Sequence, residues 1–192
     1  MASALPFPRT IITAALLAVG VWFAVSDARI DWYVSLRPFF EWMETTVFGT
    51  LGKTYGGAFA VVQAMHLLSM AVLGGTVLVS DGRLLGVALK SVPIKQVLEP
   101  CQRLFNWSLS LVVLSGVFMA CGVAIKVYYL EVFWYKMLAL GTGVLFVYFI
   151  RRPLLQPDPD SVPQLLRTLV GMASLMTWFT VAATGRWIGF SG

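Results

Sequence analysis

The sequence predicts an all-α fold: an integral membrane bundle of five transmembrane helices that forms one domain over residues 1–192. Hydrophobic residues make up 58% of the chain and charged residues only 12%, values outside the range of soluble globular domains. Five long apolar runs follow one another, and a membrane span needs roughly 20 apolar residues. The predicted spans are residues 10–26, 56–80, 104–125, 133–150 and 168–185.

The first run follows Arg9 and precedes small residues, a pattern that is also typical of a cleaved signal peptide. We interpret it as a retained anchor. The segment between the first two spans, DARIDWYVSLRPFFEWMETTVFGTLGKTYGG, mixes aromatic and charged residues. This mixture predicts a short interfacial amphipathic segment that lies along the lipid bilayer. Docking of a membrane or exported protein partner on its aromatic residues is the alternative.

The net charge of +5 reflects basic residues that lie beside the spans, which favours membrane topology over nucleic-acid binding. With five spans, one side of the membrane receives eight basic and four acidic residues, and the other receives six basic and five acidic. The positive-inside rule then predicts a cytoplasmic N-terminus. We expect a multi-pass protein of the bacterial cytoplasmic (inner) membrane, and the sequence leaves a homo-oligomer open.

The second span carries the single histidine of the chain, His66. Spacings of three and four residues place Gln63, Met70 and Gly74 on the same helical face. Helix rise puts His66 near the membrane midplane, and a polar residue at this depth is expected to face other helices. At the same level the other helices offer Gly20, Gly116 to Met119, Gly141-Thr142-Gly143 and Met176 to Thr180.

Three interpretations of this layer remain open. In the first, the glycines let helices approach closely while His66 forms a hydrogen bond with Gln63 or Thr142. In the second, the glycines leave a slot for haem b, with His66 as an axial metal ligand. The second ligand would be Met70, Met119 or Met176, or a group from another subunit. The third is a site for another metal, or a proton-transfer role.

Eight methionines in a small membrane protein also suggest copper binding, because Cu(I) prefers soft thioether ligands. The methionines of the spans are scattered over four helices instead of forming one track, and methionine is an ordinary filler of core gaps. A copper or small-solute permease is therefore an alternative to a haem-binding subunit.

Three charged residues lie at or inside span ends. Asp81 and Arg83 stand where the second span leaves the membrane, where they would clamp a neighbouring helix, pair with Arg103 or Glu99, or bind a headgroup phosphate. Lys136 lies about one turn into the fourth span. Its ammonium either snorkels to the surface or contacts an anion or substrate at the exported mouth.

No arrangement of residues typical of a hydrolase or NTPase appears. The acidic residues avoid the level of His66, and no phosphate-binding glycine loop is present. We therefore do not expect the chain to be catalytic on its own.

The stretch HLLSMAVLGGTVLVSDGRLLGVAL, followed by IKQVLEP, Trp107 and FWYKMLALG, resembles a bacterial family of uncharacterised inner-membrane proteins known only as a domain of unknown function. The resemblance covers about residues 40 to 150. It implies a small helical bundle and marks His66, Asp81, Arg83 and Lys136 as the positions to test. A histidine followed by a Gly-Gly pair is more distantly similar to the membrane domain of copper resistance protein D and to di-haem cytochrome b bundles.

Together these observations favour a small membrane subunit that holds haem b for electron transfer or assists a larger membrane complex. A copper or small-solute permease is one alternative. A purely structural accessory subunit, whose aromatic segment docks a partner, is the other.

Overall fold

The computed structural model describes residues 28–156 and 158–190, together with residue 15, residues 18–22 and residues 25–26. This part of the chain is helical and contains no strand, so the all-α prediction is confirmed there. It holds four helices long and apolar enough to cross a membrane, not five. The predicted first span, residues 10–26, lies mostly outside the described residues.

The helices are α1 Ala28–Thr45, α2 Val47–Thr54, α3 Gly56–Leu84, α4 Ile94–Gly122, α5 Ala124–Tyr128, α6 Glu131–Leu145, α7 Arg152–Leu155 and α8 Gln164–Ile188. A π-helical turn, Phe146–Arg151, joins α6 to α7, so that Glu131–Leu155 forms one continuous span. The four spanning helices are α3, α4, α6 with α7, and α8, and they indicate a multi-pass membrane protein.

The helices α4 and α8 both begin directly after a proline. Pro93 (φ −53°, ψ 138°) and Pro163 (φ −54°, ψ 139°) occupy the same extended conformation at the two starts. Proline fits there because its fixed φ and missing N–H cost nothing before the first helical turn. As a result α4 begins well before residue 104, where the hydrophobic run alone placed it.

The π-helical turn has a local cause in Pro153. This proline cannot donate a backbone hydrogen bond, and its ring crowds the preceding turn. The backbone widens in response, and the N–H of Arg152 donates to the carbonyl of Val147, five residues earlier. Both Val147 and Arg151 are buried as a result, with 1% and 8% of their surface exposed.

Two helix pairs form the bundle. Helix α3 packs along α4, helix α6 packs along α8, and α8 also contacts α3. Phe105 of α4 and Trp178 of α8 meet edge to face in the shared core, with ring centroids 5.1 Å apart. We call the side with residues 85–93 and 158–163 the loop face, and the side with residues 28–55 and 123–130 the aromatic face.

The predicted interfacial segment is helical, comprising α1 and α2, and one side of it packs on α5 within the chain. Tyr33 and Tyr128 stack at 4.4 Å, and the hydroxyl of each donates to the backbone carbonyl of the other. Phe40 is buried beside them, whereas Trp32 and Trp42 remain more than half exposed. The segment is therefore anchored to the bundle and keeps a second, exposed aromatic side.

Candidate functional site

His66 lies in the contact between α3 and α4 and is buried, with 7% of its surface exposed. Its Nδ1 is 2.8 Å from the Oγ of Ser115. A Cβ placed on Gly116 would be 3.3 Å from its Cε1, so a glycine at this position lets the imidazole lie against the α4 backbone. The predicted close approach of helices at Gly116 is present, and the hydrogen-bond partner is Ser115 in place of Gln63 or Thr142.

The Ser115 hydroxyl lies between the backbone of α4 and the ring of His66. Its Oγ is within hydrogen-bond distance of the backbone carbonyls of Leu111 and Val112 as well as of His66 Nδ1. Because a hydroxyl both donates and accepts, this contact is compatible with either tautomer of the neutral imidazole.

The prediction of haem at His66 needs a slot of porphyrin size beside the imidazole ring. Among the described residues His66 lines neither of the two large cavities of the bundle. Met176 lies on the exposed side of α8, 69% accessible, and lines a different space. Met119 is half-buried on α4. In this packing the predicted ligands do not fit around a haem group.

Gln63 is exposed and does not share the buried side of His66. The buried side of α3 contains His66, Ser69 and Leu73, then Thr76 and Ser80, a spacing near 3.5 residues. Such a seam is typical of two helices packed side by side. Toward the start of α3 the same side of the helix continues with Val62 and Phe59, both half-buried, and does not include Gln63.

A cavity of about 450 Å³ lies between α3, α6 and α8, and we call it the Lys136 cavity. Lys136 supplies the single charged side chain among its described lining residues. The rest of the described lining is apolar or glycine, and it includes Met70, Leu73, Gly74, Leu140, Leu175, Met176, Trp178 and Phe179.

Lys136 has no hydrogen bond or ion pair with any residue that the structure describes. Its Cε and Nζ each lie 3.5 Å from where a Cβ on Gly185 would be, so the lysine stem runs along the α8 backbone. The indole Nε1 of Trp178 is buried and also has no acceptor within the described part of the chain. The cavity wall thus carries one accessible donor without an acceptor, the ammonium of Lys136.

The predicted copper role depends on methionine ligands, and two of the predicted methionines lie at the same cavity. Met70 and Met176 both line it, which brings two predicted soft ligands together. The ammonium of Lys136 stands in the same wall and repels a cation. Among the described residues, no group of three or more His, Cys, Asp or Glu side chains is placed to hold a metal. The arrangement is better suited to an anion than to Cu(I).

Asp81 is fully buried, with 0% of its surface exposed, and it pairs with Arg151. The Nη2 of Arg151 is 2.8 Å from Oδ1 of Asp81 and 2.8 Å from Oγ of Ser80. This pair joins the end of α3 to the π-helical turn. Of the alternatives predicted for Asp81, the structure shows contact with a neighbouring helix through Arg151 and not an ion pair with Arg103.

Arg83 takes a local structural role. Its Nε donates to the backbone carbonyl of Val92 at 2.8 Å, which ties the end of α3 to the loop before α4. Sequence reasoning missed Arg151 altogether. The signal that would have found it is depth, because Asp81 and Arg151 both end spans on the same side of the membrane.

The chain belongs to the family of unknown function DUF6644, whose model matches residues 39–191. No curated protein and no solved structure matches the chain significantly. The family match covers the last seven residues of α1 and the whole of α2 to α8. It includes every residue that lines the Lys136 cavity.

Proposed function

We propose that this protein binds an apolar molecule with an anionic head group within the membrane and acts as a small-solute permease or carrier for it. The observation that carries the proposal is Lys136, an ammonium without an internal partner in the wall of an otherwise apolar cavity. Among the functions that the sequence predicts, the permease is the one that this arrangement supports best.

The charge of Lys136 favours an anionic head group. An ammonium held in hydrocarbon is costly unless a counter-charge or hydrogen-bond acceptor lies beside it. A carboxylate or similar head group would supply both to Lys136. Specific recognition then depends on the head group.

The dimensions favour an apolar tail. A volume of about 450 Å³ is typical of small-molecule sites, which range from about 300 to 1,000 Å³. Along α3 the lining runs from Met70 to Leu78, which corresponds to about 12 Å of helix. Burial of a tail along this wall would supply most of the affinity.

The cavity edge favours entry from the bilayer. Leu78, Met176 and Phe179 line the cavity and are each more than 60% exposed, on the side of the helices that faces lipid in a membrane. A lipid-soluble molecule could therefore enter sideways between the helices. This route suits an amphiphile better than a hydrophilic solute.

The test is quenching of tryptophan fluorescence by 12-bromododecanoate, with the purified full chain in neutral detergent. Bromine at the tail end quenches an indole that it contacts, and Trp178 lines the cavity. We expect saturable quenching that Trp178→Phe largely removes. Lys136→Met should weaken binding of the carboxylate about tenfold, or about 1.4 kcal/mol. It should leave 12-bromododecanol unchanged.

Lys126→Met is the matched control, because Lys126 is an exposed lysine on the aromatic face and does not line the cavity. It should bind both probes as the unaltered protein does. Equal losses in Lys126→Met and Lys136→Met, or quenching that never saturates, would contradict the proposal.

We also propose the bacterial inner membrane as the location, with a cytoplasmic N-terminus and the loop face in the cytoplasm. The support is the excess of basic residues on that face, including Lys90, Lys95 and Arg103. In intact cells a membrane-impermeant amine reagent should label Lys126 and spare Lys90. The reverse pattern would overturn the orientation.

The haem, copper and accessory roles stay predictions. A reduced-minus-oxidised spectrum without a Soret or α-band change would count against haem, and copper well below one atom per chain would count against stable Cu(I) binding. Co-purification of a stable partner is the test of an accessory role.

A further inference from the structure

A second large cavity, of about 550 Å³, lies on the loop face. It is formed by the first four turns of α4, the end of the π-helical turn with α7, and the chain that follows α7. Charged and amide side chains make up most of its lining, whereas the lining of the Lys136 cavity is mainly apolar. We call it the loop-face cavity.

The charged lining of the loop-face cavity is mostly basic. Lys95, Arg103, Arg151 and Arg152 line it, and Glu99 is the single acidic residue among its described lining residues. Lys95 and Glu99 form an exposed pair at 3.7 Å, and Asp81 offsets the charge of Arg151. The structure gives Arg103 and Arg152 no ion pair with any described residue. Two positive charges are therefore left uncompensated.

An amide donor lies in the same wall. The Oδ1 of Asn106 accepts from Gln102 Nε2 at 2.8 Å and from the Tyr148 hydroxyl at 2.9 Å. Because both bonds occupy the oxygen, the amide nitrogen of Asn106 is the group left to donate. The structure gives that nitrogen no acceptor among the described residues. Arg151, 8% exposed, forms part of the wall, and its buried Nε also lacks an acceptor.

We propose that the loop-face cavity binds a phosphate group, carried by a phospholipid headgroup or by a soluble molecule. Two guanidinium groups and an amide N–H₂ are donors that match phosphate oxygens, and arginine binds phosphate through two parallel hydrogen bonds. The site lies on the loop face, where α4 begins and α7 ends. Phospholipid headgroups lie at this level beside a span. It is separate from the Lys136 cavity and does not depend on the function proposed for it.

Two probes distinguish the sources of the phosphate group. Native mass spectrometry of the full chain, released from phosphatidylcholine nanodiscs with and without phosphatidylglycerol, reports bound phospholipid. Calorimetric titration with inorganic phosphate in neutral detergent reports a soluble ligand. The test variant is Arg103→Gln with Arg152→Gln, which keeps polar side chains and removes both uncompensated charges. We expect at least tenfold weaker binding of whichever probe the protein binds.

The matched control is Lys90→Gln with Lys126→Gln, because both lysines are exposed, neither lines the cavity, and the change in net charge is the same. Retained phosphatidylglycerol in the control and its loss in the test variant would identify a lipid headgroup. The same contrast with inorganic phosphate would identify a soluble ligand. Binding of neither probe, or equal losses in the two double variants at unchanged elution volume, would overturn the proposal.

Discussion

Lys136 and Arg151 are basic residues on the same continuous span, Glu131–Leu155, and their surroundings are opposite. Arg151 is almost fully buried, and its Nη2 donates to the carboxylate of Asp81 and the hydroxyl of Ser80. Lys136 is half-buried in the wall of an apolar cavity, and no described residue pairs with it. A charge that the fold neutralises holds helices together, whereas a charge that it leaves unpaired is available to a ligand.

The first prediction removes the charge of Arg151, the residue that the fold pairs. Arg151→Met should lower the free energy of unfolding by about 3–5 kcal/mol, because the Asp81 carboxylate would stay buried without its counter-charge. Unfolding in mixed detergent micelles, followed by circular dichroism, measures the loss. Adding Asp81→Asn removes the stranded charge and should restore at least half of the stability. A double variant as unstable as Arg151→Met would show that the guanidinium acts through something other than Asp81.

The second prediction gives Lys136 the partner that it lacks. Leu140 lies one turn along the same helix and lines the same cavity, so Leu140→Glu brings a carboxylate next to the ammonium. The internal pair should compete with the ligand and weaken 12-bromododecanoate binding about tenfold, equivalent to about 1.4 kcal/mol. Leu140→Gln is the control of similar shape without charge. Equal weakening by both variants would mean that cavity shape, and not the charge of Lys136, governs binding.

The third prediction concerns Glu44, a carboxylate on the aromatic face that is paired with Lys53 and less buried than Asp81. Burial raises the pKa of Glu44, but hydrogen bonds from Lys53 and from the backbone N–H of Ile125, with the Lys53 charge, outweigh it and hold the pKa below its usual range. Because the folded pKa is the lower one, the carboxylate stabilises the fold above its unfolded pKa. That contribution is lost as the pH falls through the folded pKa.

Glu44→Gln should therefore cost about 1 kcal/mol at neutral pH, and the cost should shrink as the pH falls below about 4. Thermal unfolding at a series of pH values measures the difference between the two proteins. The matched control is Glu41→Gln, whose exposed pair with Arg37 lies along one helix and connects no two elements. A pH-independent cost of Glu44→Gln would assign the effect to packing.

The spans were predictable because apolar composition and length decide what crosses a membrane. Four predicted spans coincide with α3, α4, the α6–α7 span and α8, although α4 begins earlier than its apolar run because Pro93 sets its start. Lys136 was singled out from its depth alone, and its contact with an anion stays a prediction. These features are local, so the order of residues is enough to indicate them.

Partners across helices were not predictable in the same way. Gln63 was predicted to share the inward-facing side of α3 with His66. That placement depends on which side of α3 meets α4, and the observed contact, spaced near 3.5 residues, leaves Gln63 exposed. The one basic partner named for Asp81 was Arg103, but its observed partner, Arg151, lies 70 residues away in sequence. The π-helical turn that directs Arg151 inward comes from Pro153, whose effect on register is not visible in an apolar pattern.

The separation of Asp81 from Arg151 along the chain bears on how the protein is assembled during synthesis. The end of α3 is made 70 residues before the guanidinium that neutralises it, so α3 and α4 reach the bilayer with that carboxylate unpaired. An unpaired carboxylate draws the helix end toward water. We therefore expect α3 to sit shallower at first, and to sink to its final depth only when the third long span arrives. Chains that stall before that point should remain substrates for membrane proteases, which pulse-chase labelling of truncated chains would reveal.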